Sequence, residues 1–419
     1  MSAWIAVGLT LLPGWVVARR RGAIGARLAS ETVLWGVLVT VAWMEAASLV
    51  HARWSPALLC GPAAAAVVVA ALAPGRVRPV LGAPRLWSLV ATVPAAVHAV
   101  ILAATPSFGW DFRYSWALKG KVWALAGGHD WAWLSRPIHS LACVDYPPLW
   151  SDLIALGAVL GASPGATAAL WQAVLVLALA ATCWQAAAPA PAPLRALAAA
   201  AGAWVPVIFT PTVAYSGYAE PMLAFGVCVA LAAVTATAEG TDGAWQVAAA
   251  GAAIAALTKN EGIAFALGLA LAAWRVGGRR AVGIAAAVLV AVVGWRGVLA
   301  RWGVTGFPNV FSPARMASRL VHLPAVLVSV ASWQLWGVLA LWVLVVPGLG
   351  SRRLAGLRTA VAVWATAVVT AYLVSPFDLA WHLQTSLDRV LAVPLPAVIA
   401  LAIGASAPLD PAASPQPPA

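Results

Sequence analysis

Residues 2–21 read SAWIAVGLTLLPGWVVARRR, an apolar run that ends in three consecutive arginines. A cleavable signal peptide carries its positive charges before the apolar run, so this order is the reverse of one. The run approaches the length of a membrane-spanning helix, and cytoplasmic loops are enriched in arginine. We therefore predict a retained first helix whose N-terminus lies outside and whose arginine-rich end lies in the cytoplasm.

Similar apolar runs recur along all 419 residues. Hydrophobic residues make up 63% of the chain and charged residues only 9%, with a mean hydropathy of +0.90, which leaves too little polar surface for a water-soluble protein. Backbone in lipid must satisfy its own hydrogen bonds, and the alternation of barrel strands is not seen, so the segments should be helices. The predicted fold is all-α, a polytopic transmembrane helix bundle of about 12–14 apolar segments.

One transmembrane domain should cover residues 1–407, with a disordered tail at 408–419. No long hydrophilic stretch divides it. The apolar segments are 2–18, 28–50, 55–73, 86–104, 149–162, 165–188, 195–213, 220–238, 244–257, 262–274, 281–299, 325–347, 357–374 and 390–406.

The formal net charge is +12, and the arginines stand in short loops beside apolar runs. This distribution follows the positive-inside rule, so we expect membrane orientation and no nucleic-acid partner. Only Cys143 of the four cysteines stands in an outer loop, so no disulfide framework or metal-binding spacing is indicated. Dominance of alanine and arginine, with only three lysines, indicates a GC-rich genome and hence a bacterial plasma membrane.

The alternation of basic loops places the longest polar stretch, residues 105–148, on the outer face. Six apolar segments lie between this loop and the cytoplasmic Arg275, although an odd number of crossings is required. The segment 149–162 is shorter than the ~20 residues of a full crossing, and we predict that it does not span. Polar residues then gather on the outer face in four segments, 105–148, 215–220, 259–261 and 375–389.

Three arginines do not fit the charge bias of this topology. Arg301, Arg315 and Arg319 fall on the outer face, where arginine is usually depleted. Either they bind something anionic or the predicted topology is wrong there.

The outer loop carries two candidate catalytic carboxylates, one near each end. Asp111 follows a helix end, and the segment after it, with Tyr114 and Lys119, has the composition of a juxtamembrane interfacial helix whose lysines face lipid headgroups. Asp145 and Tyr146 precede two prolines that lead into the next apolar segment. A plain alternative stays open for both carboxylates, in which they cap helices or solvate the loop.

A helix junction and a charged turn supply further candidates for substrate binding. Tyr218 and Glu220 stand at the junction, where placement at the membrane interface explains the tyrosine but not the glutamate. Lys259, Asn260 and Glu261 form a turn between two short helices, and the compact ammonium suits a phosphate. A self-neutralised pair of Lys259 and Glu261 is the alternative.

The last outer segment contributes a histidine and an arginine. His382 and Arg389 are seven residues apart, so in a helix they share one face with Ser386. Arginine is a natural bidentate partner for phosphate. In the alternative interpretation, Asp378 or Asp388 satisfies these side chains instead.

Three short patterns together resemble the glycosyltransferase C superfamily, which transfers sugars from polyprenyl-phosphate carriers on the outer face of membranes. They are an acidic residue that opens the first large outer loop, the sequence Asp145-Tyr146-Pro147-Pro148-Leu149, and the turn Leu257-Thr258-Lys259-Asn260-Glu261-Gly262. The resemblance implies that Asp111 engages the acceptor as general base or orienting group. It also implies that Asp145 helps to hold a metal or the donor, and that Lys259 contacts the carrier phosphate.

The predicted function is a membrane glycosyltransferase that moves a sugar from a polyprenyl-phosphate-linked donor to a glycan, lipid or protein acceptor. No cofactor is certain, although Asp111, Asp145 and Glu220 offer oxygen ligands to a divalent metal ion. A transporter or lipid flippase is the main alternative, but Glu45 and Gln172 are nearly the only polar residues deep in apolar segments. An oligosaccharide ligase that uses a diphosphate-linked glycan is a second alternative.

Overall fold

The computed structural model describes residues 1–72, 86–107, 109–209, 216–277, 280–304, 312–325, 328, 352–375 and 377–406. These residues form helices and contain no strand, and eight of their helices are long and apolar enough to cross a membrane. The protein is therefore an all-α, polytopic integral membrane protein, which confirms the predicted fold class. The predicted segment 325–347 lies almost wholly outside the described residues, and the predicted tail lies outside them entirely.

The helices before the end of the outer loop are α1 (Ser2–Arg20), α2 (Gly25–Leu49), α3 (Pro56–Leu59), α4 (Gly61–Leu72), α5 (Leu86–Ala104), α6 (Ala117–Ala126) and α7 (Trp131–Leu134). A π-helical turn, Phe112–Trp116, runs directly into α6, and a 3-10 turn, Pro137–Ala142, follows α7. The long predicted loop is thus largely helical.

The helices after the outer loop include both short and long ones. In chain order they are α8 (Leu149–Val159), α9 (Pro164–Ala186), α10 (Ala192–Phe209), α11 (Glu220–Ala238), α12 (Ala244–Thr258), α13 (Asn260–Gly277), α14 (Arg280–Arg301), α15 (Pro313–Leu320), α16 (Arg352–Val374), α17 (Leu379–Ala392) and α18 (Leu395–Ser406). Helices α9 and α11 are the most completely buried of the long helices, so the core lies around them.

Local sequence signals decide where several of these helices begin. Ser163 accepts a hydrogen bond from the backbone N–H of Ala166 at 3.2 Å, and Pro164 occupies the first turn of α9. Asp378 likewise accepts from the backbone N–H of Trp381 at 2.9 Å, which starts α17. Asp378 is therefore a helix cap and not the partner of the arginine in the same helix.

Helix α8 is the short segment for which the sequence predicts no crossing. Its 11 residues correspond to ~16 Å of helix, about half the hydrocarbon thickness of a bilayer. Its residues from Leu149 to Gly157 are all buried, and it packs against α6 and α9. It therefore supports the outer loop from inside the protein.

Contacts with backbone carbonyl groups explain two of the three arginines that do not fit the charge bias, Arg315 and Arg319. Arg319 donates to the carbonyl oxygens of Tyr372 and Ser375 at 3.0 and 2.7 Å, and Arg315 donates to that of Val374 at 3.4 Å. Carbonyl groups at a helix C-terminus carry partial negative charge. Arg315 and Arg319 therefore bind the end of α16 rather than a separate anion.

Glycines allow α1 and α2 to pack closely. A Cβ atom on Gly36 would lie 2.3 Å from the backbone oxygen of Thr10, and one on Gly14 would lie 1.9 Å from that of Thr32. Small residues at such crossings let helices approach closely in membranes, where van der Waals packing is a main source of association. The two N-terminal helices thus form a tight pair.

We expect Gly36→Ala to lower the free energy of unfolding by about 1–3 kcal/mol, because the helix backbones must separate to admit the methyl group. Gly8→Ala is the matched control, since a Cβ there meets nothing within 4 Å and alanine favours helix. Denaturant unfolding of both variants in the same mixed micelles checks this. Equal stability of the two variants would contradict the close packing.

Candidate active site

Four charged side chains from distant parts of the chain meet at one end of the bundle. Asp111 precedes the π-helical turn, Glu220 begins α11, Lys259 lies between α12 and α13, and Arg389 lies in the last turn of α17. Lys259 Nζ is 2.9 Å from Glu220 Oε1, and Arg389 Nε is 3.7 Å from the same oxygen. Arg389 Nη1 also donates to Asp111 Oδ2. We call these four residues the ion network.

The ion network runs from a buried end to a more exposed end. The side chains of Glu220 and Lys259 are each only 6% exposed, whereas those of Arg389 and Asp111 are 19% and 37% exposed. An isolated charge at the buried end would be very costly, so these two residues depend on each other. Asp111 is therefore the member of the ion network most accessible to a small molecule.

Local backbone structure explains how Lys259 reaches Glu220. Lys259 has an extended conformation that ends α12, and α13 begins at the next residue. A Cβ atom on Gly262 would lie 1.8 Å from the backbone oxygen of Ala255, so only glycine allows α13 to fold back this closely. Lys259 Nζ is also 3.3 Å from Glu261 Oε1. The predicted pair with Glu261 is therefore present, but Glu220 is the nearer partner.

The electrostatics of this turn favour the charged form of the lysine. Burial alone would lower the pKa of Lys259, but the carboxylates of Glu220 and Glu261 raise the pKa above its ordinary value. The same negative charge of Glu261, together with burial, raises the pKa of the Tyr146 phenol well above its usual range. Lys259 therefore stays a cation and Tyr146 a neutral hydrogen-bonding group near neutral pH.

Two tyrosines lie against the cations. The Arg389 guanidinium lies 5.3 Å from the centre of the Tyr218 ring, and Lys259 Nζ lies 5.9 Å from that of Tyr146. Both distances fall within the range of cation–π attraction. Tyr218 also accepts a long hydrogen bond, 3.5 Å, from the backbone N–H of Asp111. The tyrosines therefore help to hold the cations and the outer loop in place.

Asp145 lies next to the ion network in a group of its own. Its Oδ2 accepts from Asn260 Nδ2 at 3.2 Å and lies 3.6 Å from Arg296 Nη1, while Arg296 Nη2 donates to Asn260 Oδ1 at 2.9 Å. Trp295 Nε1 donates to the backbone oxygen of Asp145 at 3.2 Å. Because Asn260 follows Lys259 directly, this second group is joined to the ion network through the turn.

The structure excludes helix capping as the role of Asp111 and Asp145. Neither at the turn after Asp111 nor at the start of α8 does a backbone N–H donate to a capping side chain. Both carboxylates bind cations that are remote in sequence, Arg389 for Asp111 and Arg296 for Asp145. Helix capping is therefore not the role of either residue.

Lys119 is placed differently from the prediction. The sequence predicts a lysine that faces lipid headgroups and binds substrate, but the side chain is fully buried and donates to the backbone oxygen of Cys143 at 3.0 Å. Burial lowers the pKa of Lys119 to about 8. Its Nζ also lies 4.8 Å from the centre of the Trp116 ring. Lys119 is therefore enclosed by the protein, so it supports the loop and cannot reach headgroups.

Two other predicted residues lie beside the ion network rather than in it. Tyr114 is half exposed and packs against Trp110 with ring centres 4.3 Å apart and ring planes inclined by 44°. His382 packs on Tyr372 with ring centres 4.7 Å apart, and its backbone oxygen accepts from Ser386 Oγ at 2.8 Å. Neither forms an ion pair within the described residues.

Sequence reasoning missed Arg296 as part of the site. A signal was present, because a lone arginine beside Trp295 interrupts the apolar run 281–299. Charged residues within such runs usually face the bundle interior or a polar cavity, and tryptophan marks the interface. Its partner Asp145, however, is 151 positions away, and no pattern in the sequence links the two.

The side chains of Glu220, Lys259 and Glu261 face apolar side chains of α11, α16 and the α17–α18 region across a gap too narrow to hold a water molecule. The ion pairs occupy the space that a bound phosphate would need. An anionic ligand must therefore displace carboxylates from the cations before it can bind. Comparison with family models, with curated proteins and with solved structures finds no match for this chain.

Proposed function

We propose that this protein is a glycosyltransferase that moves a sugar from a polyprenyl-phosphate carrier to an acceptor on the outer face of a bacterial plasma membrane. One observation carries the proposal: carboxylates and cations from the outer loop, α11, the turn after α12, and α17 converge at one end of a membrane helix bundle. Sugar transfer from a phosphate requires a base that accepts the proton of the acceptor and cations that stabilise the departing phosphate. A carboxylate beside cations supplies both.

In the proposed reaction, Asp111 accepts the proton of the acceptor hydroxyl. The hydroxyl oxygen bonds to the anomeric carbon of the sugar as the bond from that carbon to the carrier phosphate breaks. The phosphate oxygen leaves with the electron pair, and Arg389 and Lys259 stabilise its negative charge. Asp111 is the most exposed member of the ion network, which suits the residue that meets the acceptor.

Glu220 has a positioning role in this proposal. It contacts both cations, so it holds them side by side before the donor arrives. A carrier phosphate would compete with Asp111 for Arg389, which would free the carboxylate for the acceptor. Donor binding and activation of Asp111 are thereby coupled through one arginine.

We expect Lys259→Gln to weaken binding of polyprenyl phosphate by about 10–100-fold, since a hydrogen bond to a charged group contributes ~1.5–3 kcal/mol. Lys121→Gln is the matched control, because that lysine is exposed on α6. The measurement is binding of polyprenyl phosphate, and of the neutral polyprenol, to purified protein in nanodiscs. Equal affinity of the wild-type protein for the two lipids would overturn the assignment of this site to a phosphate.

The buried pair of Glu220 and Lys259 also suits a transporter, since intramembrane ion pairs often mark transport pathways. Proteoliposome assays separate the two functions. Transfer of labelled sugar from the carrier to an envelope fraction supports the enzyme, whereas movement of the intact carrier lipid between leaflets without sugar release supports a flippase.

A further inference from the structure

A third polar cluster takes no part in the ion network; the ring of its His129 lies 6.1 Å from that of Trp295, which donates to the backbone oxygen of Asp145. Glu45 lies near the end of α2, His129 lies between α6 and α7, and Asp152 lies in α8. His129 Nε2 is 3.0 Å from Asp152 Oδ1 and 3.5 Å from Glu45 Oε1. One potential ligand atom from each residue lies within 4.8 Å of the others.

Hydrogen bonding does not satisfy this cluster among the described residues. The Nε2 atom of the imidazole carries at most one proton, yet it faces two carboxylates. Glu45 Oε1, Asp152 Oδ2 and His129 Nδ1 are buried and have no hydrogen-bond partner there. Asp152 and the ring of His129 are fully buried, and each unsatisfied buried group costs about 1–3 kcal/mol. The cluster therefore presents nitrogen and oxygen atoms without partners, which are the kinds of atom that bind metal ions.

The spacing of the ligand atoms suits a small divalent cation. Bonds of about 2.0–2.1 Å in a tetrahedral zinc site place neighbouring ligand atoms ~3.4 Å apart. The two distances from His129 Nε2, 3.0 and 3.5 Å, bracket that value. Calcium instead needs six to eight oxygen ligands at longer distances. One nitrogen and two oxygens at this spacing favour zinc.

The walls of the cluster favour a low coordination number. Indole rings of Trp54, Trp123 and Trp131 lie with their centres 5.3, 4.3 and 5.0 Å from that of His129. Such walls leave little room for the several waters that magnesium normally keeps. They also lower the local dielectric response, which strengthens the attraction between two carboxylates and a cation.

The charges of the cluster also balance with a divalent cation. Neutral imidazole and ionised carboxylate are the forms that bind metals. With both carboxylates deprotonated, their two negative charges balance one divalent cation.

We propose that Glu45, His129 and Asp152 bind one Zn²⁺ ion, which ties the outer loop to α2 and α8. Three protein ligands leave a fourth position for water. The site joins segments that are 84 and 23 positions apart in the chain, so the ion would restrict the outer loop in the same way as a covalent link. This proposal does not rest on the glycosyltransferase proposal.

The test uses the full chain, purified in detergent with a tag that contains no histidine. After treatment with EDTA and desalting, the protein is titrated with Zn²⁺ alone, and bound metal is measured by mass spectrometry of the elements. We expect about one Zn²⁺ per chain, with affinity reduced at least ~100-fold in His129→Gln and Asp152→Asn. His139→Gln, a second histidine of the outer loop, should bind as the wild type does.

A second measurement keeps the proposal open to refutation if those variants fold poorly. Glu45→Gln alters the most exposed ligand, and Co²⁺ added to the EDTA-treated wild-type protein should give the visible absorption of four-coordinate cobalt. Failure of the wild-type protein to bind Zn²⁺, six-coordinate cobalt spectra, or tighter binding of Ca²⁺ than of Zn²⁺ would overturn the site.

Discussion

Replacing Asp111 with asparagine should lower the rate of sugar transfer by about 10²–10⁴-fold, the usual contribution of a positioned general base. Asparagine keeps the shape of the side chain but cannot accept the acceptor proton. The substitution also removes the carboxylate that competes with phosphate for Arg389. We therefore expect polyprenyl phosphate to bind Asp111→Asn at least as tightly as it binds the wild-type protein.

This prediction is specific because it expects the rate of sugar transfer to fall while the binding of polyprenyl phosphate does not weaken. A merely structural role for Asp111 would lower both transfer and carrier binding, because the outer loop would lose its contact with α17. Asp242→Asn is the control, since that carboxylate is fully exposed between α11 and α12. Transfer at the wild-type rate in Asp111→Asn would refute its assignment as the base.

Replacing either partner of the buried pair should lower the free energy of unfolding by about 3 kcal/mol, because the remaining charge stays buried with weaker partners. Among the described residues, Lys259 keeps Glu261 as its one ion-pair partner in Glu220→Gln, and Glu220 keeps Arg389, at 3.7 Å, in Lys259→Met. Both side chains are 6% exposed, so solvent screening reduces this cost little.

The double variant Glu220→Gln with Lys259→Met should be less destabilised than the sum of the two single variants by at least about 1 kcal/mol, since neither charge is left unpaired. Denaturant unfolding in mixed micelles measures the free energy of unfolding of the wild type, the two single variants and the double variant. Lys121→Met controls for loss of a lysine at an exposed position. Simple additivity of the two changes would show that Glu220 and Lys259 do not interact.

Composition predicted the fold class correctly because it reports the solvent of the chain. Apolar runs of spanning length must become helices in lipid, whatever their neighbours are. The sequence also showed that the segment 149–162 is short, and α8 is short in the structure. The sequence could not show that Arg315 and Arg319 contact the end of α16, because any residue can supply a backbone carbonyl group.

The candidate site was only partly predictable. Ionisable residues in membrane proteins gather at polar ends or pair inside the bundle, which is why the sequence singled out Asp111, Glu220, Lys259 and Arg389 as candidates. It did not show that Glu220 contacts both cations, nor that Lys119 is buried away from lipid. The third lysine, Lys121, has the same local composition as Lys119 but lies on the exposed face of α6.

The sequence by itself determined that this protein is a helical membrane bundle whose charged residues cluster in a few segments, since hydropathy depends on each segment alone. Only the tertiary structure decided which charges meet. Pairing of Asp111 with Arg389, and of Asp145 with Arg296, joins residues 278 and 151 positions apart. Helix packing fixes such pairs, because Arg389 and Asp145 are largely buried and a largely buried charge is stable only where the fold brings it an opposite charge.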